Sequence, residues 1–184
     1  MTAQARLVLD DARDALRAHS NDLQGPAFRT SWFSIVGLLR AVGHVLSKVD
    51  APTDDRLAET VANAWSRLVA SRPEPVIFWG FIETERNRIL KNYEHGITRL
   101  RIVRAADDTP RVLFALDMAN ASGKAIQLVN AFEIPADVPD RGVFSVLSDG
   151  PFAGRSERAV AEDAIRWWDG YLSGIEREWR RNAV

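Results

Sequence analysis

The sequence has no cysteine and only three histidines, His19, His44 and His95, in 184 residues. Without thiols it can form no disulfide, offer no thiolate nucleophile and build no cysteine-ligated zinc site, which suits a reducing cytoplasm. None of the histidines has a carboxylate at a metal-binding helical spacing such as His-Glu-x2-His, so neither a metal site nor a cofactor is expected. An excess of charge of either sign is missing too. With 24 basic and 25 acidic residues the formal net charge is -1, so no global field draws nucleic acid, and any RNA contact must come from a local patch. No run of about 18 apolar residues offers a membrane span, and Met1 to Asp11 lacks the apolar stretch of a signal peptide. The expectation is a cytoplasmic chain with no membrane partner. Internal repeats, low-complexity tracts and a dividing linker are absent as well. A hydrophobic content of 46% suffices for one core, so residues 1–184 read as a single domain.

What is present is periodicity. Ala5, Val8, Leu9, Ala12 and Leu16 recur at helical spacing and predict a helix over residues 3–19, stopped by Ser20-Asn21-Asp22 and Gly25-Pro26. Trp32, Ile35, Val36, Leu39, Val42, Leu46 and Val49 mark a central buried helix over residues 28–49. Leu57, Val61, Ala64 and Leu68 follow Thr53-Asp54-Asp55, where Thr53 is the expected cap. A fourth helix is expected from Pro73-Glu74-Pro75 to about Glu94, ending at Gly96.

After Gly96 the period shortens. Ile97–Arg104, Arg111–Met118, Ala125–Ile134 and Gly142–Leu147 read as three or four antiparallel strands, Ala125 to Phe132 being compatible with helix as well. Asp107-Asp108-Thr109-Pro110 and Asn120-Ala121-Ser122-Gly123 read as turns, and Pro135 to Asp140 as a loop. Helical spacing returns in Val160, Ala164, Trp167, Trp168, Tyr171, Ile175 and Trp179. The fold class is therefore mainly α: a helical core over 1–96, a strand-rich segment over 97–148 and a long C-terminal helix over 155–182. Gly150 to Ser156 lacks the Walker pattern and reads as a turn with Ser156 as N-cap. Arg99, Arg101, Arg104 and Arg111 form either a phosphate-facing surface or a solvated sheet face.

The densest polar chemistry lies in Arg86-Asn87-Arg88-Ile89-Leu90-Lys91-Asn92-Tyr93. The apolar stripe Phe78, Ile82, Ile89, Tyr93 leaves one slot open, and periodicity assigns it to Arg86. A buried guanidinium without a partner costs several kcal/mol, so Arg86 should meet a carboxylate, a carbonyl or a bound phosphate. The first two make it a packing bridge; the third makes it a clamp. Cleaving RNA requires activation of a 2'-hydroxyl, protonation of the leaving oxygen and a cation for the phosphorane, and Arg86 suits the last task.

The pattern Arg-Asn-x3-Lys-x-Tyr resembles the Arg-x4-His-x-Tyr signature of HEPN domains (higher eukaryotes and prokaryotes nucleotide-binding), with Lys91 where the signature has histidine. Leu38 to Leu46, which carries Arg40 and His44, also looks like the arginine-bearing helix of uncharacterised bacterial HEPN-like proteins. The resemblance implies a HEPN-like bundle, a symmetric homodimer through the motif helices, and RNA or nucleotide as target. It further implies either a metal-independent endoribonuclease of a toxin or phage-defence type, with a cognate antitoxin or other protein partner, or a non-catalytic binding or scaffolding module. On this reading Arg86 clamps phosphate, Asn87 matches the polar residue after the arginine, and Lys91 or His95 does the acid/base work. A lysine near its reference pKa of about 10.4 is a poor base unless burial lowers it. Arg88 and His95, seven residues apart, share a helical face; His95 is otherwise a solvated capping residue beside Gly96. Tyr93 matches the tyrosine that some relatives have nucleotidylated, and is otherwise a core aromatic. Arg40 and His44, at i and i+4, either line the same cleft as Arg86 or form a solvated or dimer-facing pair.

Overall fold

The computed structural model describes residues 1–104, 110–116 and 142–181. The chain is mainly helical with a small antiparallel sheet. In order it forms α1 (Ala3–Ala18), α2 (Gly25–Val45), α3 (Asp55–Ala70), α4 (Thr84–Asn92), β1 (Ile97–Arg104), β2 (Pro110–Leu116), β3 (Gly142–Leu147) and α5 (Glu157–Arg181). The strand expected over Ala125–Ile134, the turns at 107–110 and 120–123 and the loop at 135–140 fall wholly or mostly outside the described residues.

The apolar stripes go where their periods send them. Ala5, Leu9, Ala12 and Leu16 of α1, Trp32, Ile35, Val36 and Leu39 of α2, and Val160, Ala164, Trp168 and Leu172 of α5 fill one core. Each large side chain among them contributes about 1.5–3 kcal/mol of burial. The middle helix, α2, packs against α1, α4 and α5. Helices α1 and α5 are also tied at their surface, where Arg6 donates to Asp169, Ser173 and Glu176. The helical stretch Gly25–Thr53 is 29 residues long and reaches a mean hydropathy of 1.2, enough by length and composition for a membrane span. Its apolar side chains Phe28, Trp32, Ile35, Val36, Leu39 and Val42 are buried against its neighbours, as in a core helix.

Two π-helical turns change the phase of the stripes. The first, Leu46–Asp50, follows α2. It turns Val49, expected in the core, out to solvent and brings Asp50 inside. There the carboxylate accepts from the backbone N–H groups of Gln4 and Ala5 at 3.1 and 2.8 Å, capping α1 from a distant element. The second, Ile77–Glu83, leads into α4, so the helical segment expected near Pro73-Glu74-Pro75 starts directly after Pro75. It also stops before Gly96: Tyr93 takes the left-handed C-cap conformation (φ 56°). At α3 the cap is Asp54, which accepts from Leu57 N–H at 2.9 Å. Thr53, expected there, instead donates its hydroxyl to the Asp50 carbonyl. Ser156 does cap α5, accepting from the Ala159 N–H.

The sheet order is β2-β1-β3, all antiparallel. Ile97 and Leu147, opposite one another, enter the core. Arg99 belongs neither to a solvated face nor to a phosphate surface. It is buried, donates to the Leu23 and Asn21 carbonyls and lies over the Phe28 ring at 4.9 Å, docking the sheet on the α1–α2 turn. Below it, His19 Nδ1 and Ser31 Oγ are 2.8 Å apart and His19 Nε2 stands 3.6 Å from Glu157, all wedged between α1, α2 and α5.

Candidate functional site

Helix α4 presents two different faces. The inner one begins with Glu85, 4% exposed, so the open slot in the apolar stripe belongs to Glu85 and not to Arg86. Its Oε1 accepts from the Trp32 indole N–H at 3.0 Å and from the Gly96 backbone N–H at 2.8 Å. A carboxylate fits that position because two donors converge on it; a guanidinium would have met donors only. Arg88 stands 3.6 Å from Glu85 and donates to both oxygens of Asp149 at 2.8–2.9 Å. Burial works against its charge, but Asp149, Glu85 and Glu94 raise the Arg88 pKa above its ordinary value. A Cβ on Gly96 would lie 1.7 Å from Arg88 Nη1, so the closure requires glycine here.

His95 also turns inward. It is 7% exposed, which corrects the expectation of a solvated cap. Its ring meets Phe28 and Phe33 nearly edge-on at 5.7 and 6.5 Å, and neither ring nitrogen has a hydrogen-bond partner among the described residues. Burial pushes its pKa down, with Glu85 opposing and Arg29 assisting. Arg88 and His95 are thus neighbours of Glu85, but one is closed onto Asp149 and the other is packed among phenylalanines.

The outer face carries Arg86, Asn87, Leu90, Lys91 and Tyr93. Arg86 is half-buried and donates to the Asn87 side-chain carbonyl at 2.9 Å. Among the described residues no carboxylate bridges it. Lys91 is exposed, Leu90 is 64% exposed and Tyr93 69%, so Tyr93 is not a core aromatic. Its ring stands edge-on to Phe33 at 5.2 Å from a backbone conformation that glycine would adopt without strain.

Helix α4 runs beside α2. Contacts pair Phe33 with Tyr93, Trp32 with Glu85 and Arg40 with Glu83, so the two helices lie antiparallel. Arg40 Nε donates to Glu83 at 2.9 Å, one turn before Arg86 and Asn87. Between Phe33 and Arg40, Gly37 is exposed with nothing within 4 Å of where a Cβ would sit. The result is a shallow seam between α2 and α4, with an aromatic pair at one end and an ion pair at the other. His44, exposed, lies one turn beyond Arg40. Arg40 and His44 share a pocket further along α2 whose lining does not include Arg86.

No family model matches this chain, nor does any curated protein or solved structure. The chemistry must therefore be read from the side chains themselves. Sequence periodicity missed Glu85, Gly96 and Asp149, which build the inner face, and Phe33, Gly37 and Leu90, which shape the outer one. Asp149 is remote in sequence from α4 and gave no signal. Glu85 did: a carboxylate next to Arg86 in the same gap of the stripe competes for the same slot. Among the described residues no group of three or more histidines and carboxylates converges as metal ligands would.

Proposed function

We propose that this chain is a HEPN-like, RNA-directed binding module that holds phosphate on the outer face of α4 and pairs with a second copy of itself across the α2–α4 seam. The observation that carries this reading is the Arg86–Asn87 pair, a half-buried guanidinium bonded to the neutral amide beside it and flanked by exposed Lys91. A cation so placed can exchange a neutral partner for a phosphate, which gives shorter and stronger charge-assisted bonds. Exposed Leu90 and Tyr93 on α4 and the open space at Gly37 on α2 support a self-complementary contact, since a two-fold axis brings the same patch of each copy together.

Binding is favoured over cleavage because only one of the two acid/base candidates, Lys91, shares the outer face with Arg86, whereas cleavage needs both a base and an acid. His95 is sealed between Phe28 and Phe33 and Arg88 is engaged by Asp149. The proposed setting is cytoplasmic. An antitoxin or other protein partner belongs to the endoribonuclease form of the resemblance, which the same experiment addresses. Wild type and Arg86→Ala are incubated with labelled RNA in EDTA, and retardation and cleavage are read from the same samples. The binding reading expects a retarded, uncut RNA that Arg86→Ala holds about tenfold more weakly, as loss of a phosphate contact does at low salt. Cleavage abolished by Arg86→Ala and Lys91→Ala would instead establish a ribonuclease. Equal retention by wild type and Arg86→Ala would refute the site.

A further inference from the structure

Past the Arg40–Glu83 pair, the same side of α2 continues through His44 into the π-helical turn. Arg40, His44 and Lys48 recur every four residues and rim a pocket of about 290 Å³. Part of its wall is aromatic: Trp65 from α3 and Tyr171 from α5 line it, with Phe78 from the second π-helical turn and Trp168 from α5 buried behind them. Trp65 is 43% exposed, so one large ring remains open to a ligand. Burial pushes the Tyr171 phenol up to about 12, which keeps that wall neutral. The pocket is shaped by backbone choices as well. A Cβ on Gly43 would come within 2.8 Å of the Trp168 ring, so glycine is what lets the indole close against α2. Both π-helical turns, Leu46–Asp50 and Ile77–Glu83, contribute lining residues, and such turns are concentrated at functional sites.

Charge and size narrow the occupant. Glu83 neutralises part of the rim through Arg40 Nε. Lys48 remains, with His44 beside it, and the terminal nitrogens of Arg40 make no hydrogen bond among the described residues. The rim is thus net positive. A volume just under the roughly 300–1,000 Å³ of drug-sized sites holds one or two fused rings with a short acidic arm and excludes a polynucleotide. Aromatic walls favour a flat ring, stacked or edge-on, and the basic rim favours an anion attached to it.

We infer that this pocket binds a small aromatic anion, a one- or two-ring carboxylate or phosphate ester, at a site distinct from the outer face of α4. The ring lies against Trp65 and Tyr171, and the acid meets Arg40, His44 and Lys48. The test is calorimetric titration with 2-naphthoate, 2-naphthyl phosphate, 2-naphthylmethanol, acetate and inorganic phosphate. Wild type should bind one naphthoate or naphthyl phosphate saturably, at least tenfold tighter than the alcohol. The two acids together distinguish a carboxylate site from a phosphate site, and the inorganic anions alone should not saturate. A His44→Ala/Lys48→Ala double variant changes only exposed side chains and should keep the melting temperature while losing at least tenfold in affinity. Arg86→Ala should bind within twofold of wild type, so failure here and failure of the RNA reading are separate results. No saturable binding of either acid, equal binding of the alcohol, or an unaffected double variant would each overturn the inference.

Discussion

The inner and outer faces of α4 carry neighbouring residues, Glu85 and Arg88 on one and Arg86, Asn87 and Lys91 on the other, and do opposite work. On the inner face every charged group is paired. Glu85 serves two donors, Arg88 spans Glu85 and Asp149, and Gly96 gives up its side chain to let them meet. On the outer face a half-buried arginine is bonded to an amide and two large apolar side chains face solvent. Satisfied buried networks fix structure; incompletely matched exposed groups leave interaction energy for a partner. One short helix thus combines an architectural face with a face available for binding.

The comparison breaks most sharply at Glu85. Glu85→Ala orphans the Trp32 indole and Gly96 N–H groups, each loss costing about 1–3 kcal/mol, so urea denaturation should show a loss of about 3 kcal/mol with an unchanged m-value. Gly96→Ala should come next, at about 1 kcal/mol, because the Arg88 guanidinium must swing from its place over the backbone and loosen its contacts to Glu85 and Asp149. Asp149→Ala should cost less, under about 1 kcal/mol, since Asp149 is largely exposed and its bridge is screened by solvent.

How much of this was legible depended on which residues carried it. Helical faces followed directly from spacing: Leu9, Trp32, Leu39, Leu57 and Trp168 are buried where a 3.6-residue period puts them. Spacing failed where the helix itself changed pitch. A π-helical turn rotates Val49 out and Asp50 in, and no composition rule marks that turn. At α4 the gap after Ile82 could be filled at i+3 or i+4, by Glu85 or by Arg86. Only the tertiary positions of Trp32 and Gly96, both donors, decide for the carboxylate. Residues with remote partners, such as Asp149 and Phe33, announced nothing in sequence, whereas Arg86, Asn87, Lys91 and Tyr93 stood out because their types cluster locally.

Acid sharpens the same contrast. The His95 pKa is lowered by burial in the folded chain, whereas unfolded histidine titrates near 6.5. Between those two values the unfolded chain binds more protons, so stability rises with pH in that window. Full stability is expected above about pH 6.5, declining as pH falls through the folded value. Urea midpoints measured from about pH 5 to 8 should show this slope in wild type and a shallower one in His95→Leu. Conversely, a His95→Leu slope as steep as wild type would remove His95 from the account. The smallest stability effects belong to the outer face: Leu90→Ala and Lys91→Ala should each stay within about 0.5 kcal/mol. Light scattering on wild type and Leu90→Asp tests the proposed pairing: the wild type should associate and the variant less so, and unchanged association would rule out that face as the interface.

The division of α4 is tested most directly by measuring urea midpoint and RNA affinity together for wild type and Arg86→Ala. The account predicts matching midpoints with RNA affinity reduced about tenfold. A midpoint that falls along with RNA binding would make Arg86 part of the architecture and contradict it.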